Sequence, residues 1–123
     1  MKRVGIVALA VLALVAAGCS RTKIIPQDQA HMGGDNFVQQ AVKVAAGKPI
    51  KFIDDPSGSP HVLVIGTNGT WQPNANAPSQ LNNNTGLNIS PGNEIDVVFP
   101  TAGTYTVTCK VHPAMLLTVT VNP

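Results

Sequence analysis

The chain has 123 residues, enough for one domain with appendages. Its formal charge is +2, but Lys2 and Arg3 supply that excess; beyond them six cations face six anions. There is no basic run and no interleaving of basic with aromatic residues, which argues against nucleic-acid binding, and no Ser-His-Asp set or carboxylate pair offers hydrolytic chemistry.

The N-terminus reads as a leader. Two cations precede an apolar run from Val4 to Ala17, the n-region and h-region of an export signal. The run falls short of the about 20 apolar residues that a membrane span needs. Ala16, Ala17 and Gly18 lead into Cys19 and Ser20. This stretch resembles the lipobox of bacterial lipoproteins. The resemblance implies a signal peptide over 1–18, a lipid on Cys19, and a protein anchored to the cell membrane on its extracytoplasmic or periplasmic side. Bacterial lipoproteins favour leucine three residues before the cysteine, where this chain has Ala16; a plain cleaved signal peptide is the alternative. With Cys19 acylated, Cys109 is the one thiol left and cannot close an internal disulfide. Such a thiol in an oxidising compartment should be buried or bound to something.

Residues 19–36 are polar, with a Gly-Gly pair and little periodicity, and read as a lipidated N-terminus and flexible tether. His31 and Met32 fall in it without further ligands nearby in sequence and read as incidental. The domain is expected over 37–123. The stretch from Phe37 to Val44 reads as a strand, and the following AAGKP as the turn of a hairpin into PIKFID. DDPSGSP is rich in turn formers and opens into HVLVIG, a strand expected to be buried on both faces. Residues 67–88 are nearly all Asn, Thr, Gly, Pro and small polar residues, a long functional or mobile loop with Trp71 as its large anchor.

The remainder alternates with period two. Ile95, Val97 and Phe99 share one face, as do Tyr105, Val107 and Cys109, with Thr104, Thr106 and Thr108 outward. Leu117, Val119 and Val121 repeat the pattern. Many short strands and turns without a helical period predict an all-β sandwich.

Between the last two strands stand Cys109, His112 and Met115, at equal three-residue steps. Thiolate, imidazole and thioether together select copper over calcium or magnesium. A trigonal site needs a second imidazole. His61 is the better candidate, since it begins a buried strand after a turn-rich loop; the other is His31. Two His and a Cys in a plane with a weak axial Met is the blue-copper, electron-transfer arrangement.

The SPHVL histidine and NEIDVVFPTAGTYTVTCKVHPAMLLTVTV make the chain resemble the cupredoxins of plastocyanin and amicyanin type. Two residues between Cys109 and His112, and two between His112 and Met115, match the tight loop of the amicyanin group. The resemblance implies a Greek-key β-sandwich, copper held by His61, Cys109, His112 and Met115, and one-electron transfer between redox proteins at the membrane surface by a monomer. An enzyme is not expected, because four protein ligands leave no open position for substrate. An exported copper chaperone or storage protein using the same ligands is the alternative. The chain departs from the family at Val62. Many members carry Asn or a similar polar residue there, tying the ligand loops together. The tie is then expected from elsewhere, with Ser59 and Thr108 as candidates.

Overall fold

The computed structural model describes Gly18 and residues 24–123. Cys19 and, apart from Gly18, the expected signal peptide lie outside the described residues. Within them the chain is all β: β1 (Gln29–Met32), β2 (Ala41–Ala45), β3 (Pro49–Asp54), β4 (His61–Thr67), β5 (Thr70–Trp71), β6 (Leu87–Ile89), β7 (Glu94–Val98), β8 (Gly103–Cys109) and β9 (Leu116–Asn122). No helix among the described residues is long and apolar enough to cross a membrane.

Two sheets face each other. One has the order β1-β3-β7; the other runs β2-β9-β8-β4-β5, with β6 pairing to β4. Alternation sets the facing of each strand. Val42 and Val44 of β2, Ile50 and Phe52 of β3, Tyr105, Val107 and Cys109 of β8, and Leu117, Val119 and Val121 of β9 are buried between the sheets. Phe99 tilts against Tyr105 with ring centroids 5.1 Å apart. The Tyr105 hydroxyl donates to the Thr101 carbonyl at 2.6 Å, pinning the turn that enters β8.

Four expectations are corrected. First, the domain begins before Phe37. Residues 29–32 form a strand parallel to β3, in register from Gln29 with Lys51 to Met32 with Asp54, and Ala30 and Met32 are completely buried. The polar composition of 19–36 masked two apolar residues at strand spacing. Second, β2 and β3 do not form a hairpin. β2 pairs in parallel with β9, and the turn at Ala45–Lys48 carries the chain from one sheet to the other. A hairpin and a sheet-to-sheet corner share the same turn residues, so the local signal could not separate them.

Third, the 67–88 segment is ordered around Leu81, which is fully buried, rather than Trp71, which is half-buried. The Leu81 carbonyl accepts the Ile65 amide at 2.9 Å. Asn82 knits the segment by accepting from Trp71 Nε1 at 3.2 Å and the Asn74 amide at 3.0 Å, and by donating to the Asn74 carbonyl at 2.7 Å. The segment opens with a two-residue hairpin: Thr67 pairs with Thr70 across Asn68 and Gly69, whose φ angles of 52° and 70° are both left-handed. This is the type I′ geometry that Asn-Gly favours. Fourth, Thr108 points away from the core yet is fully buried, because the Asn68-Gly69 turn covers it.

Candidate metal centre

The site sits where β4 begins and β8 ends. These strands are antiparallel neighbours, with Leu63 opposite Cys109, so His61 at the start of β4 comes beside Cys109. The loop after β8 turns back at once, with the Met115 amide donating to the His112 carbonyl at 3.0 Å. That turn places His112 over the same point.

His61, Cys109 and His112 thus offer ligand atoms that all lie within 4.8 Å of one another. Cys109 Sγ is 3.8 Å from the Nδ1 of His61 and 3.8 Å from the Nδ1 of His112. The two Nδ1 atoms are 3.3 Å apart. A metal with bonds of about 2.0 Å to nitrogen and 2.3 Å to sulfur, at the centre of such a triangle, requires edges of about 3.5–3.7 Å. The triangle therefore fits a trigonally held ion with shifts of a few tenths of an ångström. Cys109 and His61 are buried, and His112 is half-exposed. Met115 is 2% exposed and belongs to the same core cluster as Cys109.

The ring of His61 is oriented from behind. Its Nε2 lies 2.8 Å from the Gly33 carbonyl, which can only accept, so Nε2 carries the hydrogen and Nδ1 turns its lone pair toward the triangle. Gly33 belongs to the stretch expected to be tether. The loop after β1 instead forms part of the site's wall, held by the Gly33 amide on the Asn36 carbonyl at 3.0 Å and by Ser59 Oγ donating to the Gly34 carbonyl. The Val62 amide points at Cys109 Sγ at 3.4 Å, tying the start of β4 to the end of β8.

Asp54 also faces this region. It continues the inward parity of Ile50 and Phe52 and is fully buried. Neither carboxylate oxygen has a hydrogen-bond partner among the described residues; His61 Nε2 is 3.8 Å from Oδ1. Burial pushes the Asp54 carboxyl above the usual carboxylate range, against the opposing pull of His61. Alternation from Ile50 would have flagged this inward carboxylate. The Gly33 carbonyl had no signal in the sequence, since it is a backbone group brought in by tertiary structure.

His31 stays outside the centre. Its Nδ1 meets Asp55 Oδ1 at 3.1 Å and its Nε2 meets Gln29 Oε1 at 3.4 Å. Its neighbour Met32 is core. Of the two histidines considered from sequence, His61 is the one brought to Cys109 and His112.

Residues 24–122 match the model of a family described as copper binding proteins, plastocyanin/azurin family. The fold is similar to amicyanin from Paracoccus versutus (Thiobacillus versutus), at a TM-score of 0.58 and 17% identity over 76% of this chain and 79% of that one. It is also similar to a purple cupredoxin from Nitrosopumilus maritimus, at a TM-score of 0.57 and 19% identity over 76% of this chain and 98% of that one. No curated protein matches the sequence. The fold and the His-Cys-His cluster are those of a cupredoxin. The chain belongs to the plastocyanin/azurin family of copper-binding proteins, and its cofactor is copper.

Proposed function

We propose that the chain is a blue-copper, one-electron carrier. In this reading His61 Nδ1, Cys109 Sγ and His112 Nδ1 form the trigonal ligand set, with the Met115 thioether as weak axial ligand. Bound copper supplies the one-electron couple. The observation that carries the reading is the triangle itself: three ligand atoms, two from buried side chains, already spaced for a trigonal ion. A framework that needs little rearrangement between oxidation states keeps the reorganisation on electron transfer small.

His112 is the ligand that reaches toward solvent. Around it Val111 is 55% and Leu116 45% exposed, and Pro113 and Ala114 are exposed as well. We assign this apolar collar as the surface that meets redox proteins. The balanced charge of the chain beyond Arg3 leaves little long-range steering. Catalysis is not part of the proposal. A cavity of about 290 Å³ borders Met115, but His61, Cys109 and His112 do not line it, and a site closed by four protein ligands has no place for a substrate. The exported chaperone reading draws no support from Met32, which is buried.

The carrier is placed at the extracytoplasmic face of a membrane through a lipid on Cys19. The support is the apolar run ending in Ala-Ala-Gly-Cys. The test of the whole reading is oxidation of copper-loaded protein followed by stopped-flow reduction. A carrier cycles fully between coloured and colourless forms with one electron per copper. Irreversible loss of copper on reduction would contradict it.

A further inference from the structure

Thr108 precedes the copper thiolate and faces the other side of β8, yet it is fully buried. Its hydroxyl uses both of its capacities. Oγ1 donates to the Met115 carbonyl at 2.8 Å and accepts the Gly69 amide at 3.0 Å. The β8–β9 ladder ends where Thr108 faces Leu116. Met115 lies one residue beyond it, at the point where the ligand loop joins β9. The Met115 amide is tied to His112; the Thr108 hydroxyl ties the other polar group of the same backbone.

The turn that Thr108 reaches is fitted to the ligand loop. Gly69 has a φ of 70°, and a Cβ there would stand 3.0 Å from Pro113 Cβ, 3.1 Å from Pro113 Cγ and 3.2 Å from the Cys109 carbonyl. Gly69 thus lies flat against the loop that carries His112 and Met115. Position 62 is valine, whose side chain offers no hydrogen bond that could join β4 to this loop.

We propose that Thr108 is a positioning residue of the copper centre. Its hydroxyl clamps the Met115 backbone to the Asn68-Gly69 turn and so sets how far the Met115 thioether stands from the His-Cys-His triangle. The inference rests on Met115 being the axial ligand. An axial bond is weak and long, so a small displacement of the methionine backbone changes it readily, and the potential of such a centre is tuned through that ligand.

The test compares Thr108→Val, Thr108→Ser and Met115→Leu in the copper-loaded protein, reading the visible and EPR spectra and the reduction potential. Amide exchange at Gly69 in the metal-free protein is read alongside. Thr108→Val preserves shape and removes both hydrogen bonds. The expected result is a changed ratio of the thiolate-to-copper absorption bands, a shifted potential and loss of protection at Gly69, all restored in Thr108→Ser. Thr108→Val protein that is less stable but keeps the wild-type spectrum and potential would overturn the proposal and leave Thr108 a fold contact only. Met115→Leu separates the two claims. A wild-type spectrum in Met115→Leu overturns the axial assignment and the clamp's effect with it; an altered Met115→Leu beside an unaltered Thr108→Val overturns the clamp alone. Should Thr108→Val not fold, Gly69→Ala loads the same contact from the outside. It is expected to shift the spectrum in the same way, and a wild-type spectrum there would count against the clamp.

Discussion

The Nδ1 atoms of His61 and His112 lie 3.3 Å apart, though 51 residues separate them in the chain. Two ring nitrogens this close cannot both carry a hydrogen, so at least one lone pair faces the other ring and the thiol of Cys109. With the His61 hydrogen held on Nε2 by Gly33, the His61 lone pair is committed to the centre. A donor set arranged in this way is prepared for a metal by its scaffold.

The buried Asp54 gives a stability prediction for the metal-free protein. Its carboxyl is raised above 3.8 in the fold, by burial first and by the neighbouring Asp55 as well, against His61. The folded state then holds a proton that the unfolded state has already released. Stability is therefore highest below the unfolded value and falls as pH rises through the folded one. Asp54→Asn should flatten that fall and exceed wild type in urea midpoint at neutral pH. Parallel midpoints for the two proteins across the pH range would contradict this account.

Leu81 gives a prediction for the Asn-rich segment. Truncation to alanine removes the side chain that seats residues 74–86 on the core, and should cost about 2–5 kcal/mol. Trp71→Ala should cost less, because that ring is only half-buried. Denaturant unfolding of the two variants checks the order; the reverse order would restore Trp71 as the anchor.

These two residues also show how far the sequence could be read. Strict alternation in β8 and β9 made Tyr105, Val107, Leu117, Val119 and Val121 legible as core, because a two-residue period leaves one face to bury. Cys109, His112 and Met115 were legible because their chemistry is specific and their spacing short. His61 was legible as the better second imidazole because it begins a buried strand after a turn-rich loop, and the antiparallel pairing of β4 with β8 is what brings it to the thiol. Leu81 sits in polar surroundings without a periodic pattern, and Met32 shares its strand spacing with Ala30 alone, so their burial is decided by distant strands. The Asn68-Gly69 turn carried a plain local signal that the long polar run around it obscured.

The apolar collar can be tested without touching a ligand. Ala114→Glu places a charge beside the half-exposed His112 edge. It should slow electron exchange with partner proteins while leaving the visible band unchanged, and the wild-type rate should depend weakly on salt. A steep fall of the wild-type rate with ionic strength, together with an unaffected variant, would move docking to a charged face such as that of Lys43, Lys48 and Lys51.

Membrane attachment is tested by Cys19→Ser in the producing cell. The variant should leave the membrane fraction, since firm anchoring needs more than one acyl chain and all of them depend on that cysteine. A variant that stays equally membrane-bound would point to retention of the apolar N-terminal run.

As a blue-copper carrier, the protein should bind copper through the Cys109 thiolate between two imidazoles. The visible spectrum of the copper-loaded, oxidised protein tests it most directly. The expected result is an intense thiolate-to-Cu(II) charge-transfer band that disappears in Cys109→Ala. A colourless wild-type protein with copper bound, or a band that survives Cys109→Ala, would contradict it.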